Sequence, residues 1–491
     1  MSMPTAAQAA YEPDRAPALM LTLRGGVIMA VPPQLSAITT YVLLEQEAWF
    51  EKEIEFVSAF LQPGMSAIDI GANLGVYSLP MARRVGPGGR VYAYEPGGEA
   101  RALLMRSRGA NAFTNLEVLD VALSDGEREG HLGFADSSEL RALGAGVGEP
   151  VRVTSLDIEK AARSWPSIDF IKIDAEGEEE RIIAGGKDFF ARHSPLVMFE
   201  IKAGNSVNEH LRRIYPAMGY ALYRQLGGAP VLVPVDAGKP LDGYELNLFA
   251  AKPDRAKALA QRGLLVETLA DWRPAPADHE QAVAFRRSQP FASFIPVPDG
   301  GASPADRDYR DALTGYATWR AVDQPLAVRC AALAFALRCA RVACARAGTA
   351  ARASTWARIA SEWGARSESV TALQRLFERV QGLQLNEPFW PAAARYDRLA
   401  AGDNAAIWFV AAAAEQHERS ASFSSIFGGA SPLLDWLCQQ PFASAEMLRR
   451  RVLAAAAAGS PPRLPQRLSE AAPDHLNADL WRAGVVPGTA P

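Results

Sequence analysis

Residues 67–78 read "AIDIGANLGVYS" and combine a strand of buried character, a glycine turn and the start of a helix. Gly71 allows the chain to turn sharply after the strand, and Gly75 allows the new helix to approach the sheet closely. The free N–H groups at the start of that helix favour a ligand that carries an electron-rich oxygen. The stretch therefore predicts a binding turn in an α/β sheet.

The residues around this turn, from about 65 to 251, alternate short β-rich segments with helical patterns. That alternation is typical of βαβ units in a parallel sheet. The last two predicted strands leave no room for a helix between them, and we expect them to form an antiparallel hairpin at one edge of the sheet. The predicted strands are "SAIDI", "RVYAYE", "LEVLDVALS", "DFIKID", "LVMFEI", "YALYRQL" and "LNLFAAKP".

Three local features accompany these strands. Residues 41–61, "YVLLEQEAWFEKEIEFVSAFL", have apolar positions at helical spacing and predict one helix packed on the sheet. The glycine-rich segment from about 140 to 155 predicts an irregular insertion. Pro80 follows the glycine turn, and a helix that begins near Gly75 would be kinked by a proline at that position.

An acidic residue ends the strand that follows the glycine turn. Glu95, the last residue of "RVYAYE", can accept hydrogen bonds from both hydroxyls of a ribose. A nicotinamide dinucleotide and S-adenosylmethionine both fit this framework. The dinucleotide requires G-x-G-x-x-G, and Asn73 and Val76 occupy its second and third glycine positions. The chain also has no G-x-x-x-x-G-K-[ST] phosphate loop, so a ligand without a pyrophosphate is favoured.

With these features the sequence resembles the FkbM family of methyltransferases, within the class I S-adenosylmethionine-dependent group. The resemblance covers roughly residues 45 to 251. It implies a Rossmann-like methyltransferase domain with a mostly parallel sheet and a C-terminal antiparallel edge hairpin, and S-adenosyl-L-methionine as cofactor. The shared motifs, in the family's order, are "IDIGANLGVYS", "VYAYEP", "VALSDG", "TSLD", "DFIKIDAEGEEERIIAGG" and "PLVMFEI".

The resemblance also implies which residues bind the cofactor. Glu95 would hold the ribose, and the backbone around Val121 and Ala122 would line the adenine pocket. The residues implied around the methionine part of the cofactor are Asp69, Gly71, Ala72, Asn73 and Gly75.

Residues 168–177, "IDFIKIDAEG", carry charged side chains in an otherwise apolar strand. Alternation places Lys172 and Asp174 on one face of the strand, and ligands bind beyond the carboxyl ends of strands in such sheets. Asp174 would be the last strand residue, and Glu176 would follow it. Either carboxylate can take the proton that an alcohol acceptor loses during methyl transfer, so Asp174 and Glu176 are the candidate bases.

The remaining polar residues of this motif have two interpretations each. A buried lysine is costly unless it is paired, so we expect Lys172 to pair with Asp174; direct contact with substrate is the alternative. Glu176 and the run Glu178–Glu180 are candidates for chemistry or for capping the helix that follows.

Glu200, at the end of "LVMFE", is expected to approach the substrate from a neighbouring strand. Asp157 in "TSLD" could approach the same site or cap the helix that follows it. No spacing demands a metal ion, and none is expected. Asp157, Asp174 and Glu200 would be the oxygen ligands if a divalent ion were used.

The pattern changes after residue 251, where proline-containing joints precede Ala- and Arg-rich helical segments. We expect an all-α helical-pair domain, in which residues 354–380 form two helices that turn at Gly364; a helical repeat array is the alternative. The expected division is an N-terminal extension and helix (1–64), the methyltransferase domain (65–252), a linker (253–304), the helical domain (305–475) and a tail (476–491).

The helical domain contains candidate core and surface residues. Cys330, Cys339 and Cys344 fall at apolar positions and are interpreted as small core residues. Arginines are expected on the surface, where they would be solvated or would bind an acidic glycan or a protein partner. These arginines include Arg346, Arg352, Arg358 and Arg366.

The composition gives no reason to expect nucleic acid or an anionic membrane as partner. The chain of 491 residues has 51 basic and 55 acidic residues, a net charge of −4. The four cysteines form no C-x-x-C pair, which disfavours a disulfide framework or a zinc site and favours a reducing cytoplasm. No signal-peptide pattern or membrane span is recognised in the sequence.

These observations favour an S-adenosylmethionine-dependent O-methyltransferase that acts on a hydroxyl of a sugar, a glycan or a secondary metabolite, with the helical domain selecting or recruiting the acceptor. The acceptor class comes from the family resemblance. The alternative is a non-catalytic interaction protein that retains the fold and binds a partner through its helical half. A glycosyltransferase is disfavoured because no D-x-D motif occurs in a nucleotide-sugar context.

Overall fold

The computed structural model of the protein describes residues 17–133, 142–144, 148–203, 206–236, 238–294, 304–460 and 463–484. Its strands are β1 (Leu19–Thr22), β2 (Ile28–Val31), β3 (Ser66–Ile70), β4 (Arg90–Tyr94), β5 (Leu116–Leu119), β6 (Ala122–Leu123), β7 (Arg128–Gly133), β8 (Leu143–Gly144), β9 (Gly148–Thr154), β10 (Phe170–Ile173), β11 (Leu196–Glu200), β12 (Lys202–Ala203), β13 (Ser206–Val207), β14 (Ala221–Gln225), β15 (Leu232–Pro234) and β16 (Asn247–Ala251).

The α-helices in the described residues are α1 (Ile38–Gln46), α2 (Glu53–Phe60), α3 (Ser78–Val85), α4 (Gly98–Ala110), α5 (Leu156–Arg163), α6 (Glu179–Ala184), α7 (Lys187–His193), α8 (Leu211–Ala217), α9 (Pro253–Gln261), α10 (Pro276–Arg287), α11 (Pro304–Arg320), α12 (Leu326–Arg346), α13 (Ala350–Trp363), α14 (Arg366–Phe377), α15 (Ala405–Ala421), α16 (Ser425–Gly428), α17 (Pro432–Cys438), α18 (Ala445–Ala457) and α19 (Ala478–Arg482). They belong, with the strands, to two compact units.

The first unit, Met1–Trp49 and Leu61–His193, has a parallel sheet in the strand order β5-β4-β3-β10. The chain winds through β3, β4 and β5 on one side, and β10 lies on the other side of β3. Strand order therefore reverses between β3 and β10, and in open α/β sheets ligands bind at the carboxyl ends of the strands at such a point. The predicted Rossmann-like parallel sheet is confirmed.

Burial explains why these strands form a parallel sheet. In β3 the side chains of Ala67, Ile68 and Ile70 are at most 2% exposed, although they alternate between the two faces. Strands that are buried on both faces have nearly continuous apolar sequences, as "SAIDI" does apart from Asp69. A charged side chain in such a strand requires a local explanation.

A second sheet in the first unit corrects two expectations about its strands. Residues 148–154 form β9, which pairs antiparallel with β7 and parallel with β6, and are not irregular. Val151 and Val153 alternate with polar residues and are buried, which is the pattern of a half-buried strand. The other residues expected in that insertion lie partly outside the described ranges. The predicted strand "LEVLDVALS" is two strands, β5 and β6, which belong to different sheets.

Two predicted helix features are also wrong. The single helix expected over residues 41–61 is two helices, α1 and α2, because Glu47 adopts a left-handed conformation (φ 56°) that ends α1. The kink expected at Pro80 is not required, since α3 begins at Ser78 and Pro80 lies in its first turn. Backbone N–H groups in a first turn have no partner within the helix, so a proline is tolerated there.

The second unit comprises Phe50–Phe60 and Ser194–Pro491 and contains antiparallel strands in the order β15-β14-β16-β11. The two strands predicted at 221–251 are therefore antiparallel, as expected. The edge strand is β15, which the sequence analysis missed because it is three residues long. Helices α11 and α12 pack together, as do α13 and α14. Gly364 (φ 89°) ends α13 in a left-handed conformation, which confirms the predicted turn.

The sequence predicted the burial of the cysteines in the helical segments better than that of the arginines. Cys330 and Cys344 are buried free thiols, as predicted, and Cys339 is half-buried. The expectation of surface arginines is wrong for Arg352 and Arg358, which are 7% and 1% exposed. Both form ion pairs with acidic side chains, which lowers the cost of burying their charge. Within the described residues, no helix has both the length and the apolar character needed to cross a bilayer.

Candidate functional site

The glycine turn lies at the carboxyl end of β3, where strand order reverses. Gly71 (φ 75°) and Gly75 (φ 93°) have backbone angles that favour glycine, and Asn73 (φ 47°) is also left-handed. A Cβ atom on Gly71 would lie 1.8 Å from the carbonyl oxygen of Asp174. The N–H groups of Gly71 and Ala72 both donate to the carbonyl of Tyr94. The turn is therefore held tightly between the ends of β4 and β10.

Asp69 is a buried acid with one unsatisfied oxygen. It is 1% exposed, and its Oδ2 accepts a hydrogen bond of 2.5 Å from the Ser78 hydroxyl. Its Oδ1 is buried and accepts no hydrogen bond within the described residues. Burial raises the pKa of Asp69, while Lys172 and the Ser78 hydroxyl act in the opposite direction. A buried acceptor without a donor is unusual and indicates a ligand that supplies a donor or a positive charge.

Glu95 follows β4 and lies beside the glycine turn. Its Oε2 accepts a hydrogen bond of 2.7 Å from the N–H of Asn73, and its Oε1 accepts one of 2.7 Å from the N–H of Gly97. These two bonds orient the carboxylate. Each carboxylate oxygen has two acceptor sites, so these two bonds alone do not use the full acceptor capacity of a carboxylate.

Lys172 and Asp174 form the ion pair that the sequence predicted. The Lys172 ammonium lies 2.7 Å from Oδ2 of Asp174 and 5.0 Å from the centroid of the Tyr77 ring. Lys172 is aligned with Asp69 across the β3–β10 pair. The structure therefore brings Asp69, Lys172 and Asp174 together at one end of the sheet. Because the Lys172 side chain is 5% exposed and that of Asp174 is 30% exposed, only the carboxylate is open to a ligand.

Asp174 is the residue after β10 and not its last residue, a shift of one position from the expectation. The turn that it begins includes Glu176, which is exposed and left-handed (φ 46°). Glu179 accepts hydrogen bonds from the N–H groups of Ala175 and Gly177 and so holds this turn. Glu178 is bonded to the Ser124 hydroxyl at 2.5 Å. Chemistry and helix capping were the two roles considered for these acids. The hydrogen bonds of Glu179 give it the capping role.

The other predicted site residues lie in or next to other strands and helices. Val121 and Ala122 follow β5 closely and are buried, and Ala122 begins β6. Asp157 is occupied, because its carboxylate accepts hydrogen bonds from the N–H groups of Asp188 and Phe189 at the start of α7. Glu200 is the last residue of β11 and belongs to the second unit.

Two residues of the site had no role in the sequence analysis. Ser78 fixes the orientation of Asp69, and Tyr77 places its ring against the Lys172 ammonium. Both lie at the start of α3, the helix that directly follows the glycine turn. One signal in the sequence could have identified them. A hydroxyl and an aromatic side chain, those of Ser78 and Tyr77, stand at the start of the helix that follows a buried acid.

The chain was compared with known proteins. Residues 69–222 match the methyltransferase FkbM domain. Over 289 residues the chain is 37% identical to AMB antimetabolite synthetase AmbE of Pseudomonas aeruginosa, an alignment that covers 49% of this chain and 13% of the synthetase. Over 97 residues it is 31% identical to a protein-L-isoaspartate O-methyltransferase of Triticum aestivum, with 20% of this chain and 42% of that protein covered.

One solved structure similar to the chain is that of methyltransferase FkbM from Methylobacillus flagellatus. It has 15% sequence identity and a TM-score of 0.27, and the alignment covers 40% of this chain and 50% of that one. The chain thus spans less than half the length of the curated relatives described above. The family match itself includes the glycine turn, Glu95 and the Lys172–Asp174 pair. Within residues 69–222 the chain is similar to the FkbM family of methyltransferases.

Proposed function

We propose that the chain is an S-adenosyl-L-methionine-dependent O-methyltransferase that acts on a hydroxyl of a small molecule, namely a sugar, a glycan or a secondary metabolite. The observation that carries the proposal is the buried, unsatisfied Oδ1 of Asp69 beside the glycine turn. The cofactor supplies a methyl group activated by a positively charged sulfur. A positive charge near Asp69 would offset the cost of ionising a buried carboxylate.

The residues at this end of the sheet fit such a cofactor. Asp69 offers a buried acceptor for its charged methionine part, and Gly71 lets the turn approach the end of β10 closely because it has no side chain. Glu95 has acceptor capacity for two ribose hydroxyls, in an orientation fixed by two backbone N–H groups. We assign the methionine part to Asp69, Gly71, Ala72, Asn73 and Gly75, the ribose to Glu95 and the adenine to the backbone at Val121 and Ala122.

Asp174 is the proposed catalytic base. It would accept the proton of the acceptor hydroxyl as the oxygen bonds to the methyl carbon and the bond between that carbon and the cofactor sulfur breaks, which would leave S-adenosylhomocysteine as the second product. Lys172 pairs with Asp174 at 2.7 Å and is a positioning residue, because its own side chain is buried. The pair orients the carboxylate, and much of the rate enhancement of methyl transfer comes from alignment of the reacting groups. Glu176 is the second candidate for the base, and Glu200 is proposed to contact the acceptor.

Substitution of the cofactor-binding acids should weaken binding. We expect Asp69→Asn and Glu95→Gln each to raise the Kd for S-adenosylmethionine by about 10-fold or more, since hydrogen bonds to charged groups contribute about 1.5–3 kcal/mol. Isothermal titration calorimetry on the full chain measures the effect. Glu99→Gln is the matched control, because Glu99 is exposed in the first turn of α4. Unchanged binding in both site variants, or no binding by the unsubstituted protein, would refute the assignment.

Substitution of the proposed base should slow catalysis without loss of the cofactor. We expect Asp174→Asn to lower kcat by about 100-fold, the lower end of typical general-base contributions. The Kd for the cofactor should stay within about 3-fold, which corresponds to about 0.7 kcal/mol. Glu176→Gln should have a smaller effect, because that side chain is exposed. Asp188→Asn, on the exposed start of α7, is the control.

The activity is measured as transfer of labelled methyl groups from S-adenosylmethionine to small molecules of a host extract, followed by isolation of the labelled product. A variant with Asp174→Asn that turns over as fast as the unsubstituted protein would remove Asp174 from the mechanism. A larger loss in Glu176→Gln than in Asp174→Asn would transfer the role of the base to Glu176. Cofactor binding without any transfer would favour the non-catalytic alternative.

A further inference from the structure

A cavity of about 400 Å³ lies entirely within the second unit. Its size falls in the range of small-molecule sites. It is formed by the segment before α2, the connection after β14, the residues before β16 and the helices α13 and α15. Lining residues with polar or aromatic side chains include Phe50, Glu53, Gln225, Tyr244, Glu245 and Arg419.

Two of the acids that line the cavity, Glu53 and Glu245, form no ion pair within the described residues. Their carboxylates also accept no hydrogen bond from another residue in that part of the chain. Burial and the nearby Glu51 and Glu245 raise the pKa of Glu53 to about 8, with only Lys52 and the Glu53 N–H opposing. Burial also raises the pKa of Glu245 to about 7, against the effect of Arg224. Both carboxylates are therefore costly to ionise in the empty cavity.

Gln225 provides independent evidence that these groups bind a ligand. It lines the cavity and is 8% exposed, and its Nε2 donates to the carbonyl of Lys52 at 3.2 Å. Its Oε1 is buried and accepts no hydrogen bond within the described residues. Glu53, Glu245 and Gln225 come from separate segments of the chain, yet all three offer acceptor oxygens to the same cavity.

The basic side chains of the cavity already have partners; Lys52, for example, donates to the carbonyl of Gly227 at 3.0 Å. Arg395 and Arg419 both form ion pairs with the buried carboxylate of Glu415. Arg366 donates to the carbonyl of Ser420 at 2.6 Å, and its guanidinium lies 3.9 Å from the centroid of the Phe423 ring. Among the buried side-chain polar atoms that line the cavity, Oε1 of Gln225 is the one that has no hydrogen bond within the described residues. It is an acceptor, which calls for a ligand that carries donors.

We propose that this cavity binds a small organic molecule through a primary ammonium group, held by the carboxylates of Glu53 and Glu245 and by the carbonyl oxygen of Gln225. An ammonium offers three donors, which matches the three acceptors. The aromatic side chain of Phe50 lines the same cavity and suits a cation, because the faces of aromatic rings attract positive charge. This binding is separate from the proposed methyl transfer and does not depend on it.

The test is isothermal titration calorimetry of the full chain with putrescine, a diamine, and with butanediol, its neutral counterpart. We expect putrescine to bind and butanediol not to bind. The double variant Glu53→Gln and Glu245→Gln should bind putrescine at least about 30-fold more weakly, which corresponds to about 2 kcal/mol. Glu267→Gln, an exposed acid of the same unit, should bind like the unsubstituted protein.

Proton release gives a second readout. At about pH 7 the two carboxylates are partly protonated, and a bound ammonium favours their ionised forms, so binding should release protons; the release should be smaller at about pH 9. Repeating the titration in buffers with different ionisation enthalpies measures this proton release.

The double variant should remain folded, since Gln resembles a protonated Glu. Equal binding of putrescine by the double variant, equal binding of butanediol, or no binding of putrescine would overturn the proposal.

Discussion

Alanine at position 71 is expected to destabilise the first unit by more than about 3 kcal/mol and to abolish measurable binding of S-adenosylmethionine. Two costs combine at Gly71. Its left-handed conformation (φ 75°) costs about 1–2 kcal/mol for a residue with a Cβ atom. The Cβ atom would also lie 1.8 Å from the carbonyl oxygen of Asp174, which belongs to backbone and cannot move alone. The end of β10 would have to shift, and the Lys172–Asp174 pair would shift with it.

Gly64→Ala is the matched control for this prediction. Gly64 has a similar backbone angle (φ 90°), and a Cβ atom there would have no other atom within 4 Å. Gly64→Ala therefore has the conformational cost without the clash. We expect its free energy of unfolding to fall by about 1–2 kcal/mol and its affinity for the cofactor to be retained. Urea denaturation gives the free energy of unfolding, and calorimetry gives the affinity. If both variants were equally stable and bound the cofactor equally well, the close approach of Gly71 to Asp174 would not matter for the site.

Methionine at position 358 is expected to lower the free energy of unfolding of the second unit by about 3–5 kcal/mol, the range for removing one partner of a buried ion pair. The Arg358 guanidinium is 1% exposed and lies 2.6 Å from a Glu362 oxygen and 2.7 Å from an Asp397 oxygen. It also donates to the carbonyl of Pro391 at 2.9 Å. The methionine keeps apolar volume but leaves two buried carboxylates without this cation.

The pH dependence shows that charge, and not packing, causes the loss. The pKa of Glu362 is lowered in the folded protein because Arg358, assisted by the Tyr316 hydroxyl and Arg320, outweighs the effect of burial. A lowered pKa of a carboxyl stabilises the fold above the unfolded-state value, and this stabilisation is lost as the pH falls through the folded value. The difference between Arg358→Met and the unsubstituted protein should therefore be smaller at about pH 4 than at about pH 7.

Arg346→Met is the control in a neighbouring helix. Arg346 pairs with Asp308 at the surface, where its side chain is 53% exposed. Such pairs contribute about 0–1 kcal/mol, so we expect little change in the urea midpoint. A loss in Arg358→Met no larger than that of the control, or one independent of pH, would contradict the role of the buried ion pairs.

The sequence by itself determined the parallel strands, the glycine turn and the acids that follow the strands. These features depend on neighbouring residues. Alternation fixes which face a side chain occupies, and a glycine turn needs only its own backbone angles. The pairing of Lys172 with Asp174 was predictable for the same reason, because the two residues lie two positions apart on one face and a buried charge requires a partner.

Only the tertiary structure decided where distant segments meet. Arg358 was expected at the surface because arginine usually is, but Glu362 and Asp397 make its burial possible, and Asp397 lies in a different segment. The cavity of the second unit combines residues from near 50, 225, 245 and 358–423, and no periodicity along the chain indicates that combination. Burial and ion pairing are properties of all the groups around a side chain, so long-range packing decides them even where local patterns predict the strand or helix correctly.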